Sequence, residues 1–412
     1  MKDLKTYKLG DLVSIQSGGT PNKAIASYWG GNIPWISAKT MYVDFITDSD
    51  LYITEEGLKN GSKLAPVGSI LLLTRGSGLF NRIPVCMVNN EVAYNQDIKC
   101  ITVKEKSFTS NLFIFYWLYS HKELLSGILE TTGIGAGKID TSRLLDIDVH
   151  LPDLETQHRY IQICSSILEK IEVNKRINDN LEQQAQALYK SWFVDFEPFK
   201  EGKFEESEIG LIPEGWCVGK AEDFYEINIG KTPPRKEHEW FTLDKSQNIW
   251  VSISDLGSDS RFIFDSSEYL TDKAIQKHNI VLVPENTVLL SFKLTIGRVG
   301  IAGTQLTTNE AIARFITNSV NREYTYFLLK NFNYSKLGST SSIATAVNSK
   351  IIKAMMILMP NDECLLNFKK LVGPIIDKIK KNEEEILHLT ELRDTLLPKL
   401  MSGELKINEI DC

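Results

Sequence analysis

Residues 360–403 read PNDECLLNFKKLVGPIIDKIKKNEEEILHLTELRDTLLPKLMSG. Within them Phe368, Val372, Ile375, Ile379, Asn382, Ile386, Leu389, Arg393, Leu396 and Leu400 follow one another in alternating steps of four and three. That spacing lays one stripe along an α-helix, and such a seam needs a partner helix. Residues 152–194, PDLETQHRYIQICSSILEKIEVNKRINDNLEQQAQALYKSWFV, carry the same seam through Tyr160, Cys164, Ile167, Ile171, Asn174, Asn178, Leu181, Ala185, Leu188 and Trp192. The two stretches align without gaps, Pro152 on Pro360, Ile171 on Ile379, Asn174 on Asn382 and Leu188 on Leu396. Each predicts a helix of ~60–65 Å at ~1.5 Å per residue.

The duplication extends outward from these helices. Both follow a short apolar run that ends in proline, Ile147–Leu151 and Met355–Met359. Further upstream, Ile15-Gln-Ser-Gly-Gly-Thr20-Pro21 echoes Ile227-Asn-Ile-Gly-Lys-Thr232-Pro233, and Pro34-Trp35-Ile36-Ser37 echoes Ile249-Trp250-Val251-Ser252. Asn95-Gln96 matches Asn309-Glu310. The order is globular unit, helix, globular unit, helix. The expected divisions are 1–150 and 201–358 for the globular units, 151–200 and 359–402 for the helices, and 403–412 for a tail. Runs such as Ile70–Leu73, Val85–Val88 and Val281–Val283, punctuated by Gly, Asn and Pro, read as strands, while Leu112–Leu125 and Tyr324–Phe332 read as helices. The fold class expected is therefore α/β (α+β), two mixed units and two long helices.

A duplicated chain closing like an isologous dimer would pair the helices antiparallel, with the globular units at opposite ends. The pairing residues expected are Ile167, Ile171, Asn174, Leu181 and Leu188 on one helix, and Ile375, Ile379, Asn382, Ile386, Leu389 and Leu396 on the other. Asn174 and Asn382 lie near the middle of their helices. They are expected to touch and fix the register, since a buried polar pair penalises slipped pairings. The alternative places each helix on its own unit, with both asparagines on exposed flanks.

The chain has 412 residues, 46 Lys+Arg and 53 Asp+Glu, with a formal charge of -7. At 42% hydrophobic and 24% charged it is not a wholly disordered chain. No apolar run reaches ~18 residues, and no apolar stretch follows the N-terminal lysines, so neither a membrane partner nor secretion is expected. The six cysteines form no C-x-x-C pair and no His cluster flanks them, so no metal site is expected and a reduced cytoplasmic compartment fits. The globular units are near charge parity, 15 basic to 15 acidic in residues 1–150 and 17 to 19 in residues 201–360. Any phosphate affinity must therefore come from clustered cations.

Here the residues carry a resemblance. Ala187-Leu-Tyr-Lys-Ser-Trp-Phe-Val-Asp-Phe-Glu-Pro-Phe199, followed by Ser207-Glu-Ile-Gly-Leu-Ile-Pro-Glu-Gly-Trp216, resembles type I restriction–modification specificity subunits. Leu396-Leu-Pro-Lys-Leu-Met-Ser-Gly-Glu-Leu405 looks like their closing motif. Ser17-Gly-Gly-Thr-Pro21 and Gly68-Ser-Ile-Leu-Leu-Leu-Thr-Arg-Gly-Ser77 are similar to turns of their target-recognition domains. The likeness covers nearly the whole chain. It implies two target-recognition domains, each reading half of a bipartite double-stranded DNA target, and an antiparallel coiled coil that sets the spacer and docks two modification (methyltransferase) subunits. Restriction subunits join in some complexes. No cofactor is implied for this chain: S-adenosylmethionine belongs with the modification subunit, and ATP and magnesium with the restriction subunit.

The motifs for chemistry are consistent with a non-catalytic chain. The one Pro-Pro, Pro233-Pro234, follows Thr232 rather than the Asn or Asp of an amino-methyltransferase motif. Gly230-Lys231-Thr232 mimics the end of a P-loop, but Tyr225 stands where its first glycine is needed. Gly133-Ile-Gly-Ala-Gly137 lacks dinucleotide-binding spacing. The rivals are a stand-alone DNA methyltransferase or nuclease, and a coiled-coil scaffold that reads no sequence.

The DNA-contact candidates are polar and basic turn residues, because Arg pairs with guanine, Asn and Gln with adenine, and Glu with cytosine. In the first unit they are Thr20, Asn22, Lys23, Lys39, Thr74, Arg75, Ser77, Arg82 and Gln96, with Asn81 and Asn95 beside them. In the second they are Lys231, Thr232, Arg235, Lys236, Lys293 and Arg298, with Ser291, Thr295 and Asn309. Trp192, Phe193, Phe196 and Phe199 suit either core packing or a base-stacking platform. Lys378–Lys381 followed by Glu383–Glu385 reads as a solvated helix face or part of a docking surface.

Overall fold

The computed structural model describes residues 4–133, 135–257, 260–337 and 347–405. It divides into two compact units, Met1–Lys170 with Leu389–Cys412, and Ile171–His388. Most of the expected tail over 403–412 and Ile134 of the Gly133–Gly137 stretch lie outside the described residues. Among the described residues no helix is long and apolar enough to cross a membrane.

Unit 1 is built on a five-stranded sheet, β1 (Val13–Ser17), β2 (Phe45–Ile46), β3 (Ile70–Leu73), β4 (Val85–Val88) and β5 (Ile98–Val103). Its order is β1-β5-β3-β4-β2, antiparallel except for the parallel β2–β4 edge. The central β3 and β4 are buried at every position, which is why they read as uninterrupted apolar runs. Helix α1 (Asn111–Ser120) packs on the sheet and buries Phe113 to Tyr119.

Unit 2 repeats this plan. Its strands are β6 (Glu226–Ile229), β7 (Phe262–Ile263), β8 (Val288–Ser291), β9 (Val299–Ala302) and β10 (Ile312–Ile316). The order is β6-β10-β8-β9-β7, again with one parallel edge. The sequence reading differs in two places. The run Val281–Val283 is not a strand, since only Val283 bridges to Leu306. Asn279 before it turns into the left-handed region at φ 49°, and Pro284 after it has no N–H to pair. Leu112–Leu125 is two helices, α1 and then Lys122–Gly127, because the chain leaves helical geometry at His121.

In each lobe an early strand pairs with the last, Lys5–Lys8 with Asp148–Leu151 and Cys217–Lys220 with Met356–Met359. This ribbon delivers the chain to a long helix. Helices α2 (Leu154–Phe193) and α4 (Asp362–Met401) each run 40 residues. Their starts are capped by the equivalent residues Asp153 and Asn361, whose Oδ1 atoms accept from the backbone N–H groups of Thr156 and Cys364. A third helix, α3 (Arg322–Asn331), covers the sheet of unit 2 as α1 covers that of unit 1.

Within unit 2 the two long helices pair antiparallel. Phe193 meets Phe368 with ring centroids 4.8 Å apart, and further along Asn178 meets Asn382. Within unit 1, Cys164 and Leu168 share a core with Leu397, Leu400 and Met401. Of the expected pairing residues, Ile167, Ile171, Asn174, Ile379 and Asn382 are buried, and Leu181, Leu188, Ile375, Ile386, Leu389 and Leu396 are half-buried.

The asparagines correct the sequence reading. Asn382 Nδ2 donates to Asn178 Oδ1 at 2.8 Å, and Asn174 Nδ2 donates to Glu385 Oε2 at 2.8 Å. Asn174 and Asn382 are both buried, but each finds its hydrogen-bond partner about one helical turn from the other. The antiparallel register places 178 against 382, so the repeat-equivalent positions nearest to facing each other are Arg176 and Glu384.

The charged run 378–385 is not a uniformly solvated face. Glu383 is 5% exposed, and its carboxylate accepts the backbone N–H groups of Arg261 and Phe262 at 2.9 and 2.7 Å. The guanidinium of Arg261 in turn donates to Glu182 and Asp179 of α2 at 2.8 and 2.6 Å. Helix pair and sheet are thereby tied together inside unit 2. The aromatic cluster is core: Phe193 packs on Phe368 and Tyr324, and Phe199 on Trp216. Phe193 is buried in this packing, and Trp192, Phe196 and Phe199 are half-buried against the same rings.

Candidate nucleic-acid interface

Three loops meet at one end of the five-stranded sheet in unit 1. The loop after β1 carries Gly18 to Thr20. A Cβ on Gly18 would lie 2.2 Å from the carbonyl oxygen of Tyr94, so only glycine fits this approach. Gly19 N–H donates to Tyr94 O at 2.9 Å, and Trp35 Nε1 donates to Gly19 O at 3.1 Å. The turn is thus pinned on both sides. It presents the Thr20 hydroxyl, which donates to Gln96 Oε1 at 2.6 Å. Asn95 itself is structural, its Oδ1 accepting the Asp97 N–H at 3.0 Å.

Unit 2 contains the same construction. A Cβ on Gly230 would lie 2.2 Å from Thr308 O and 2.0 Å from Asn309 O. Lys231 N–H donates to Thr308 O at 2.9 Å, Trp250 Nε1 to Lys231 O at 3.2 Å, and Ala311 N–H to Asn309 Oδ1 at 3.0 Å. The Thr232 hydroxyl donates to Glu310. One scaffold is therefore built twice, and it ends in Thr–Gln in one lobe and Thr–Glu in the other. An amide offers both donor and acceptor, whereas a carboxylate only accepts.

The cations around these loops differ too. In unit 1, Arg75 is exposed, and its backbone pairs with Lys138 across a short ladder. Lys99 Nζ donates to Ser17 Oγ at 2.5 Å. Burial, then the neighbouring Arg75 and, more weakly, Lys138, lower the proton affinity of Lys99, while Asp97 opposes them. Three cations gathered at the mouth of the loops, set against Asp97 and against Asp140 at 3.8 Å from Lys138, leave a net positive surface that favours anions. Lys99 and Lys138 were not legible as site residues. Lys99 alternates with the inward-facing Ile98 and Cys100, which marks only its outward direction, and nothing local links Lys138 to Arg75.

Other sequence candidates hold the scaffold. Thr74 is buried, and both its N–H and its hydroxyl donate to Asp97 O, at 2.8 and 3.0 Å. Arg82 lies 3.8 Å from the buried Asp44 and over the ring of Tyr42, where it offsets a desolvated carboxylate. Asn22 closes its own turn by accepting the Ala24 N–H at 3.0 Å. Lys23, Lys39 and Ser77 are exposed. In unit 2, Arg235 forms a bidentate pair with Glu268 at 2.9 and 2.8 Å and stacks over Phe241 and Trp250. Lys231 Nζ donates to the carbonyls of His278 and Asn279, and Arg298 to that of Ile253 at 2.7 Å. Lys236 and Lys293 are exposed.

Comparison with known proteins bears on what this duplicated surface serves. The type I restriction modification DNA specificity domain matches twice, over residues 1–183 and 213–389. The type I restriction enzyme MjaIX specificity subunit of Methanocaldococcus jannaschii is 28% identical over 425 residues, covering 99% of this chain and 95% of that protein. The HindI specificity subunit of Haemophilus influenzae is 26% identical over 357 residues, covering 71% of this chain and 77% of its own. The crystal structure of a type I restriction–modification S subunit from M. genitalium shares the fold, with a TM-score of 0.57 at 14% identity over 97% of this chain and 96% of that one. The chain belongs to the type I restriction–modification DNA specificity family.

Proposed function

We propose that this chain is the non-catalytic specificity subunit of a type I restriction–modification complex, and that each lobe reads one half of a bipartite double-stranded DNA target. The observation that carries the reading is the repeated loop cluster, one pinned scaffold with Thr20–Gln96 at its tip in one lobe and Thr232–Glu310 in the other. A fixed scaffold with exchanged hydrogen-bonding tips is what reading two unlike half-sites requires. Arg75, Lys99 and Lys138 supply contacts to DNA in the first lobe, and Lys293 in the second. Thr74, Arg82, Arg235 and Arg298 position those loops. The paired helices set the spacer and dock two modification subunits, which bring S-adenosylmethionine and the methyl-transfer centre. Where a restriction subunit joins, it brings ATP and magnesium. The assembly acts on cytoplasmic DNA.

The test is methylome sequencing of cells that express this chain with its modification subunit. One bipartite motif is expected, and exchanging residues 1–150 for those of a relative should change one half of it alone. Methyl transfer or cleavage by the purified chain without other subunits would overturn the reading.

A further inference from the structure

We infer that Leu294, at the tip of the β8–β9 hairpin, is a wedge that inserts between adjacent base pairs of the half-site read by unit 2. The inference rests on the DNA-reading assignment above and adds a mode of recognition to it. Leu294 is 99% exposed and sits in the left-handed region at φ 59°. Both features are unfavourable for an aliphatic L-residue left in water, since it pays for the strained backbone and buries nothing.

The hairpin under it is rigid. Ser291, fully buried, donates its hydroxyl to Thr295 O at 2.6 Å and accepts the Arg298 N–H at 3.0 Å. Gly297 N–H donates to Ser291 O at 3.0 Å. The side chain of Arg298 is anchored on Ile253 O. Phe292, 1% exposed, donates its N–H to Ala311 O at 2.9 Å, which ties the base of this connection to the Asn309–Ala311 turn of the same lobe.

The surroundings favour nucleic acid over protein. The core of a protein interface is a contiguous apolar patch with aromatic anchors. Leu294 instead stands between the exposed Lys293 and Thr295, a cation and a hydroxyl suited to phosphates on either side of an apolar tip. The gap opened between two stacked base pairs has apolar faces and a polar rim, and single Leu or Phe side chains fill such gaps in other DNA-bending proteins. A wedge reads deformability rather than base edges. The second half-site should therefore carry an easily unstacked pyrimidine–purine step at the wedge. In unit 1 the matching β3–β4 connection opens with Arg75 and Gly76 and carries Phe80, 51% exposed, with no leucine in the left-handed region.

The experiment uses the full chain assembled with its modification subunits. Duplexes bear the methylome-defined target with 2-aminopurine placed in turn at each position of the second half-site. Wild type should raise the fluorescence at one step distinct from the methylated base, whose own extrusion serves as the internal control. Leu294→Ala should abolish that rise and weaken binding to the half-site roughly ten-fold, the scale of one lost base-step contact. Leu294→Met should retain most of both. The inference is overturned if no such step responds while the wild-type complex still separates target from random DNA. It is equally overturned if Leu294→Ala leaves the rise intact, or weakens assembly with the modification subunits instead. A wild-type complex unable to separate target from random DNA would remove the reading assignment itself, and this inference with it.

Discussion

The Nδ2 of Asn382 donates to the Oδ1 of Asn178 at 2.8 Å, and both residues are 1% exposed between two long helices of unit 2. The Nδ2 of Asn178 finds no partner among the described residues. A buried amide left partly unpaired costs stability, so this pair is better explained by register than by strength. Sliding α4 by one turn would move Asn382 off Asn178 and separate Asn174 from Glu385, breaking both polar contacts of the seam at once.

Replacing either asparagine alone should therefore destabilise unit 2. Asn382→Leu strands the Asn178 amide and should cost about 1–3 kcal/mol in chemical denaturation. The double replacement Asn178→Leu, Asn382→Leu should recover most of that loss, because it removes both polar groups together. A double variant that loses the sum of the single effects would show that the two amides do not act as a pair.

Gly18 and Gly230 hold the reading turns against backbone carbonyls with no space for a Cβ. Gly18→Ala should displace the Thr20–Gln96 tip, at about 1–3 kcal/mol of overpacking. Discrimination should fall at one half-site only, with assembly retained. Gly230→Ala should do the same at the other half. Methylation profiles of both variants distinguish this from a general loss of DNA binding, which is the outcome that contradicts it.

Arg75→Ala should relax preference at one half-site by about 1–3 kcal/mol where the guanidinium meets a base. Lys99→Gln should weaken binding evenly across sequences and reduce its salt dependence, because an ammonium meets phosphate as a point charge. The salt slope of binding by the assembled complex separates the two roles. Equal behaviour of both variants on target and random DNA would deny Arg75 a base contact.

Glu383 gives unit 2 a pH dependence. Burial pushes its carboxyl from an ordinary 4.5 up to about 7, while the N–H groups of Arg261 and Phe262 and the Arg261 guanidinium hold it back. A raised folded-state value means the fold favours the protonated form. The stabilisation is complete below about pH 4.5 and is lost as pH rises through 7, a change of at most about 3 kcal/mol. Glu383→Gln should flatten that part of the stability profile, whatever its effect on absolute stability. Urea midpoints between pH 4.5 and 7.5 that fall in parallel for wild type and variant would remove Glu383 from the account.

The duplication and the two long helices were legible in the sequence because each is a local pattern. A four–three seam needs only the geometry of one helix, whereas the close approaches at Gly18 and Gly230 depend on the strand ends that fold against them. The strands β3 and β4 were equally plain, since burial on both faces leaves no polar alternation to interpret. Partner choice was not local. Arg82 and Arg235 look alike in sequence to Arg75, yet long-range packing sets Asp44 beside the first and Glu268 beside the second, and leaves the third exposed. Lys99 and Lys138 join Arg75 only because strand pairing gathers them.

The amino-acid order by itself determined that two like units alternate with two like helices, because periodicity and repetition are properties of the chain. The tertiary structure alone decided that Asn382 faces Asn178 rather than Asn174, and which cations are drawn into contacts with distant carboxylates. Neighbouring turns of a heptad seam are nearly equivalent in hydrophobic burial, so only the polar contacts across it fix the register. A charge, likewise, is either neutralised or left available by residues far away in sequence.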